Sequence, residues 1–319
     1  MTTIFINHVI PQIMARRQGS PGIGKTILAL ILVAAAYFFL NRESGNTPPE
    51  TNRERKTPRS KNEESPRKRS PERETGGSRT TAPATGGFAF ENEAAFGQPV
   101  SKKKCEVVQH QAYVLCYAEA YEQPYWVAYR LTSDHIRGGA ERQNDFRPDP
   151  EVDSGSATPD DYRGTGYDRG HLAPAADFKS SPEWMSESFF MSNMSPQAPD
   201  FNRGIWETLE SRVREWVRRD KLFYVVTGPV LKRGLPKIGK RNQVAVPEQY
   251  YKIILHLRSP EARAIAFLMR NEGSDKPLKS FAVSIDKLEQ VTGLDFFPQL
   301  PDDLENALES TVDTQGWFK

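Results

Sequence analysis

The chain has 319 residues, and 43 Lys+Arg against 41 Asp+Glu leave a formal net charge of +2. A balance so near neutral excludes any argument from overall charge for a polyanionic partner. The average conceals two regions of different composition, so the N-terminal third and the remainder are taken separately.

From Thr26 to Leu40 the sequence TILALILVAAAYFFL carries no charge, and with Ile23 and Lys25 at its edge it approaches the length needed to cross a bilayer. Arg16, Arg17 and Lys25 precede it. The positive-inside rule therefore places residues 1–22 in the cytoplasm and everything after Leu40 on the far side. Basic residues beyond Arg53 pull the other way. The competing reading of residues 23–40 is a cleaved signal sequence: Ala34 to Ala36 are small, but bulky Tyr37 and Phe38 follow and no clear A-x-A site precedes a polar segment. The expected localisation is a membrane-anchored protein with its folded part periplasmic or extracellular, with cleavage and secretion as the alternative. Gly19 to Thr26, GSPGIGKT, also satisfies the phosphate-loop pattern. That loop needs a strand before it and a soluble helix after it, and here MARRQ precedes and a lipid-compatible run follows, so it reads as a membrane flank.

Residues 41–87 are rich in Arg, Lys, Glu, Ser, Thr and Pro and nearly free of large apolar side chains. Such a segment cannot bury enough surface to fold, and its interspersed charges mark a solvated tether. Order is expected from Phe88. CEVVQHQAYVLCYA alternates apolar and polar residues about a turn at His110 and Gln111, which predicts a hairpin, and PYWVAYRLT predicts a third strand. LFYVVTGPVL, YYKIILHL and ARAIAFLMRN predict three more. NRGIWETLESRVREWVRRD spaces Ile205, Trp206, Leu209, Val213 and Trp216 at helical period. Residues 88–301 are long enough for one domain with its own core, leaving 302–319 as a C-terminal tail. The two cysteines, Cys105 and Cys116, face each other if the hairpin turns at His110 and Gln111, so a disulfide and a pair of free thiols are both open.

YDRGHLAPAADF, residues 167–178, has no apolar period, yet sets an acid, a base, a glycine and a histidine in succession. Of the five histidines, His8, His110, His135 and His256 have no polar array around them in the sequence; His171 follows Asp168 and Arg169. Its neighbour Gly170 would let the backbone approach a ligand closely. Further along, FFMSNMSPQAPDFNRGIWETLE gathers Asn193, Gln197, Asn202, Arg203, Glu207 and Glu210 around the start of the amphipathic helix. Asn202 there reads either as an N-cap or as an oxygen ligand. A neutral histidine to accept a proton, an oxygen ligand for a hard cation that keeps most of its waters, and arginines to neutralise phosphate are the parts for phosphodiester hydrolysis.

These stretches also resemble the DNA/RNA non-specific endonucleases. The resemblance runs from about Gln98 through YWVAYRLT, DRGHLAPAADF, MSNMSPQAPDFNRGIWETLE, YVVTGPV and VAVPEQYYKIIL to VTGLDFFPQL, and leaves out the apolar segment and the tether. It implies an α+β, ββα-metal (His-Me finger) fold, a mostly antiparallel central sheet flanked by helices, in which a hairpin and a helix hold one divalent ion. It further implies that His171 is the general base, Asn202 the direct metal ligand and Glu210 a holder of metal-bound water. Arg169 and Arg214 would contact phosphate, Asn193 and Gln197 would support the site, and Asp168 would brace the loop. A further family arginine is either Arg142 or Arg147, with Arg142 taken into the candidate set. The implied activity is cleavage of DNA and RNA with Mg²⁺, or Mn²⁺ as the alternative ion, leaving 5′-phosphate ends. Asn202 and Glu210 are eight positions apart, about 12 Å along a regular helix, so both ligate one ion directly only if Asn202 lies before that helix. Two other readings stay open: a surface nucleic-acid-binding or uptake protein of the same fold without catalysis, and a phosphodiesterase for small molecules or lipid head groups, which would need an enclosed pocket.

Overall fold

The structure, a computed structural model, describes residues 97–258 and 261–318. The apolar segment at 23–40 and the tether at 41–87 lie outside the described residues, and among the described residues no helix is long and apolar enough to cross a membrane. In chain order the elements are β1 (Glu106–Gln109), β2 (Val114–Ala118), β3 (Gln123–Thr132), β4 (Asp168–His171), α1 (Pro182–Glu187), β5 (Met194–Gln197), α2 (Glu207–Asp220) and β6 (Leu222–Pro229). Then come β7 (Lys237–Ile238), β8 (Val244–Ala245), β9 (Gln249–Arg258), β10 (Glu261–Arg270), β11 (Ala282–Val283), α3 (Ile285–Thr292) and α4 (Asp302–Glu309).

Seven strands form an antiparallel sheet in the order β1-β2-β3-β6-β9-β10-β11. Alternate residues feed different cores: on β3, Val127, Tyr129 and Leu131 join one cluster, while Trp126 and Ala128 join the other. Helix α2 covers the first face with Leu209, Val213, Trp216 and Val217, and α3 and α4 cover the second with Ile285, Leu288 and Leu308. Because both faces are covered, β2 is buried at every position and reads as a nearly continuous apolar run. The expected α+β class, a mostly antiparallel sheet with flanking helices, is the observed one.

Three details differ from expectation. The hairpin pairs Gln109 with Val114, so its turn spans His110 to Tyr113 rather than closing tightly at His110 and Gln111. The core draws the turn open: Tyr113 is buried, and buried His110 bonds Asp149 at 2.9 Å and stacks on Phe190. Cys105 and Cys116 are then staggered rather than opposite, yet their Cα atoms are 5.5 Å apart and they form a disulfide. Finally, the segment expected to be a tail is packed. Helix α4 joins the second core through Leu308, and Trp317 is buried against Trp216 and Phe223.

Candidate active site

The stretch DRGH is a strand after all. β4 pairs antiparallel with β5 in a separate two-stranded ribbon, matching Asp168 with Gln197 and His171 with Met194. It lacks an apolar period because backbone pairing, not a broad apolar face, holds so short a ribbon. Gly170 is required by packing: a Cβ there would lie 2.2 Å from Cδ and Oε1 of Gln197, a side chain with no exposed surface and no room to swing away. The close approach is thus to Gln197, not to a ligand as the sequence had implied. Gly170→Ala is expected to cost about 1–3 kcal/mol through overpacking and to lower activity by displacing the ribbon. A denaturation midpoint and turnover equal to those of the parent would contradict this.

Asp168 links the ribbon to the helix. It accepts two bonds from Arg203, at 2.8 and 2.6 Å, and one from Asn202 Nδ2 at 2.9 Å. Burial pushes the Asp168 carboxyl up, but bonds from Arg203 and Asn202 and the charge of Arg203 outweigh this and hold it below its ordinary range. The same bond fixes the Asn202 amide, with the nitrogen committed to Asp168 and Oδ1 left as the side chain's acceptor. Asn202 is not an N-cap. It lies in a π-type segment, Phe201–Trp206, which is broken at Gly204, with φ −113 and ψ −111, before the chain enters α2. It therefore stands ahead of the regular helix that carries Glu210, the one arrangement in which the two can address a single ion.

His171 is buried, with its ring 5.0 Å from Phe189 edge-on and 5.7 Å from Phe146, and its Nε2 has no hydrogen-bond partner. Burial first, then the charges of Arg142 and Arg169, bring its pKa down to about 3. The imidazole is neutral at physiological pH and able to accept a proton. The backbone after it is clamped: Asn193 Oδ1 accepts from Ala173 N at 2.9 Å, and its Nδ2 donates to the carbonyls of Ala173 and Ser188. Lys252, itself buried, donates to the Leu172 carbonyl at 3.2 Å.

The arginines divide into two kinds. Arg169 and Arg142 are exposed, their guanidiniums over the rings of Phe146 at 4.1 Å and Phe189 at 4.9 Å, the two rings that flank His171. Arg147 is held elsewhere, by Asp145 and Ser186 and over Phe190. Of the two arginines left open by the sequence, Arg142 is the one beside the histidine. Arg214 differs from the phosphate contact expected of it: only 14% of its side chain is exposed, and it donates to Asp177 at 3.1 Å and to Ser211 at 3.0 Å.

That ion pair belongs to a group the sequence did not disclose. Asp177 also accepts from Tyr129 Oη at 3.0 Å, and Glu210 and Lys252 act electrostatically on it or on each other. Burial raises the Glu210 and Asp177 carboxyls and lowers the Lys252 ammonium, while the opposite charges of Arg214 and Lys252 pull both acids back down. Two acids and two bases thus balance in a region of low polarity. The only trace in the sequence was a lysine in the middle of the apolar run YYKIILHL.

The oxygen of Asn202, the carboxylate of Glu210, and Gln197, whose amide atoms are both buried without partners, are hard donors. They fit a Mg²⁺ ion that takes few protein ligands and keeps its waters, and they lack the sulfur and imidazole ligands of a zinc site.

A family model described as DNA/RNA non-specific endonuclease matches residues 92–303, which covers β1 through the start of α4. The chain belongs to this family. A nuclease of Nostoc sp. is 39% identical over 213 residues, covering 63% of this chain and 76% of the relative. The mitochondrial nuclease EXOG of Danio rerio is 38% identical over 221 residues, and the chain spans 64% of its length, just under two thirds. A crystal structure of an EndoG/EndoGI complex matches with TM-score 0.58 and 31% identity, over 66% of this chain and 91% of that one. The ββα-metal fold of these endonucleases is accordingly the fold of this domain.

Proposed function

We propose that the protein is a Mg²⁺-dependent endonuclease that hydrolyses DNA and RNA without regard to sequence and leaves 5′-phosphate ends. The observation that carries this reading is a buried, neutral His171 between two arginines, on the strand whose Asp168 fixes Asn202. His171 takes a proton from the water that attacks phosphorus, and Arg169 and Arg142 hold the scissile phosphate. When bound, Mg²⁺ supplies positive charge to stabilise the leaving 3′ oxygen. Asn202 Oδ1 would hold the ion directly and Glu210 would hold it through water, with the Asp177, Arg214 and Lys252 group keeping Glu210 in place. A surface protein that only bound nucleic acid would need the arginines but not the base and the ion holders.

A Mg²⁺ titration of plasmid cleavage tests the assignment. Asn202→Ala is expected to require at least about tenfold more Mg²⁺ and to turn over more slowly, as loss of a ligand or of its support costs roughly 10–100-fold. A variant whose thermal stability fell while its Mg²⁺ dependence stayed unchanged would return Asn202 to a structural role.

The proposed location is outside the cytoplasm, with the domain tethered through residues 41–87 or released by cleavage. The disulfide between Cys105 and Cys116 supports this reading, because such bonds persist in oxidising compartments.

A further inference from the structure

On the sheet face away from α2, the helices α3 and α4 bring together Asp286, Glu289 and Glu309, each offering a carboxylate oxygen within 4.8 Å of the others. We propose that these three residues form a binding site for a divalent cation of calcium size, separate from the nuclease site, that clamps α4 onto α3. Separations of up to 4.8 Å admit Ca²⁺, whose oxygen ligands at about 2.3–2.6 Å can stand that far apart across the ion and whose coordination geometry is more flexible than that of Mg²⁺.

Acidic clusters are common on protein surfaces, and a second observation separates this one from them. Glu309 is only 7% exposed, and its Oε1 is buried with no hydrogen-bond partner. A buried carboxylate oxygen without a donor is costly and calls for a proton or a cation. The charged groups that act most strongly on Glu309 are Glu289, Glu305, Asp286 and Asp295, all acids. The fold thus gathers negative charge there that a cation would relieve. The Glu289 carboxylate is held in place by the backbone N–H of Phe296 at 2.9 Å. Lys103, at the far end of α3, gives its ammonium to the Thr292 carbonyl.

Thermal unfolding of the full-length chain in EDTA and in rising CaCl₂, with equilibrium dialysis against ⁴⁵Ca²⁺, tests the site. An Asn202→Ala background weakens the nuclease ion site, and the bound Ca²⁺ is counted as the difference from Asp286→Asn in the same background. The expected result is a saturable rise in Tm of several degrees and one equivalent of bound Ca²⁺, with both lost in Glu309→Gln and in Asp286→Asn. If Glu309→Gln does not fold, Asp286→Asn, at a more exposed position, carries the test alone. No Tm response to CaCl₂ in the parent, or the same response in the folded variants, would overturn the proposal. So would a Glu309→Gln protein more stable than its parent at every CaCl₂ concentration, since that is the behaviour of a buried protonated acid.

Discussion

His171→Ala is expected to lower turnover by at least about a hundredfold, the scale on which a positioned general base contributes, while nucleic-acid binding and folding are retained. Arg142 and Arg169, exposed and proposed to hold phosphate, are untouched, so KM should move much less than kcat. The pH profile separates a base from a packing residue. Burial, Arg142 and Arg169 depress the imidazole pKa to about 3. The acid limb of kcat/KM for the free enzyme should therefore lie well below the ordinary histidine value near 6.5. Arg142→Ala, which removes one of the two repelling charges, should move that limb upward. Stability follows the same sign. Between pH 6.5 and about 3 the unfolded chain binds a proton that folded His171 does not, so stability is lost as pH falls through this window. His171→Ala should remove that part of the pH dependence. A folded His171→Ala protein with near-normal turnover would take the residue out of the mechanism.

Asp177→Ala is expected to destabilise the domain by about 3–5 kcal/mol, because it leaves a buried guanidinium without its partner. Arg214 loses its ion pair, Tyr129 its acceptor and Lys252 a compensating charge, with Asp177 itself 1% exposed. Asp177→Asn keeps the shape and a polar group and should lose less. Activity should fall in both, since the freed Arg214 and Lys252 would redirect the carboxylate of Glu210. Urea denaturation reads the effect directly. A loss under about 1 kcal/mol would show that water reaches the pair and that the network is not closed.

Most strands were legible because both sheet faces are covered, and apolar runs such as YYKIILHL announce themselves. The helix was legible from its period, but its first turn was not. Asn202 through Trp206 carry helical spacing in sequence, and only the break at Gly204 shows that Asn202 stands before the helix that bears Glu210. The candidate base stood out because His171 sits among charged residues without periodicity. What stayed hidden depends on tertiary proximity. Nothing local distinguishes Arg142 from Arg147; one reaches the rings flanking His171 and the other is fastened to Asp145 and Ser186. Asp177, Arg214 and Lys252 come from a turn, a helix and a strand, and no sequence spacing relates them. The hairpin register was misplaced because the burial of Tyr113 and His110 decides it.

The central claim is that this domain cuts phosphodiester bonds of nucleic acid with the help of a divalent ion and without reading bases. The proposed role of Arg142 and Arg169 is to hold phosphate, and phosphate contacts set position without carrying sequence information. The direct measurement is a digest of end-labelled DNA and RNA by the full-length protein, in Mg²⁺ or in EDTA, at increasing salt. The account predicts cuts scattered along both substrates, ending in 5′-phosphates, abolished by EDTA and falling steeply as salt rises through loss of counterion release. A few discrete bands at a fixed sequence that persist at high salt, or cleavage undiminished by EDTA, would contradict it.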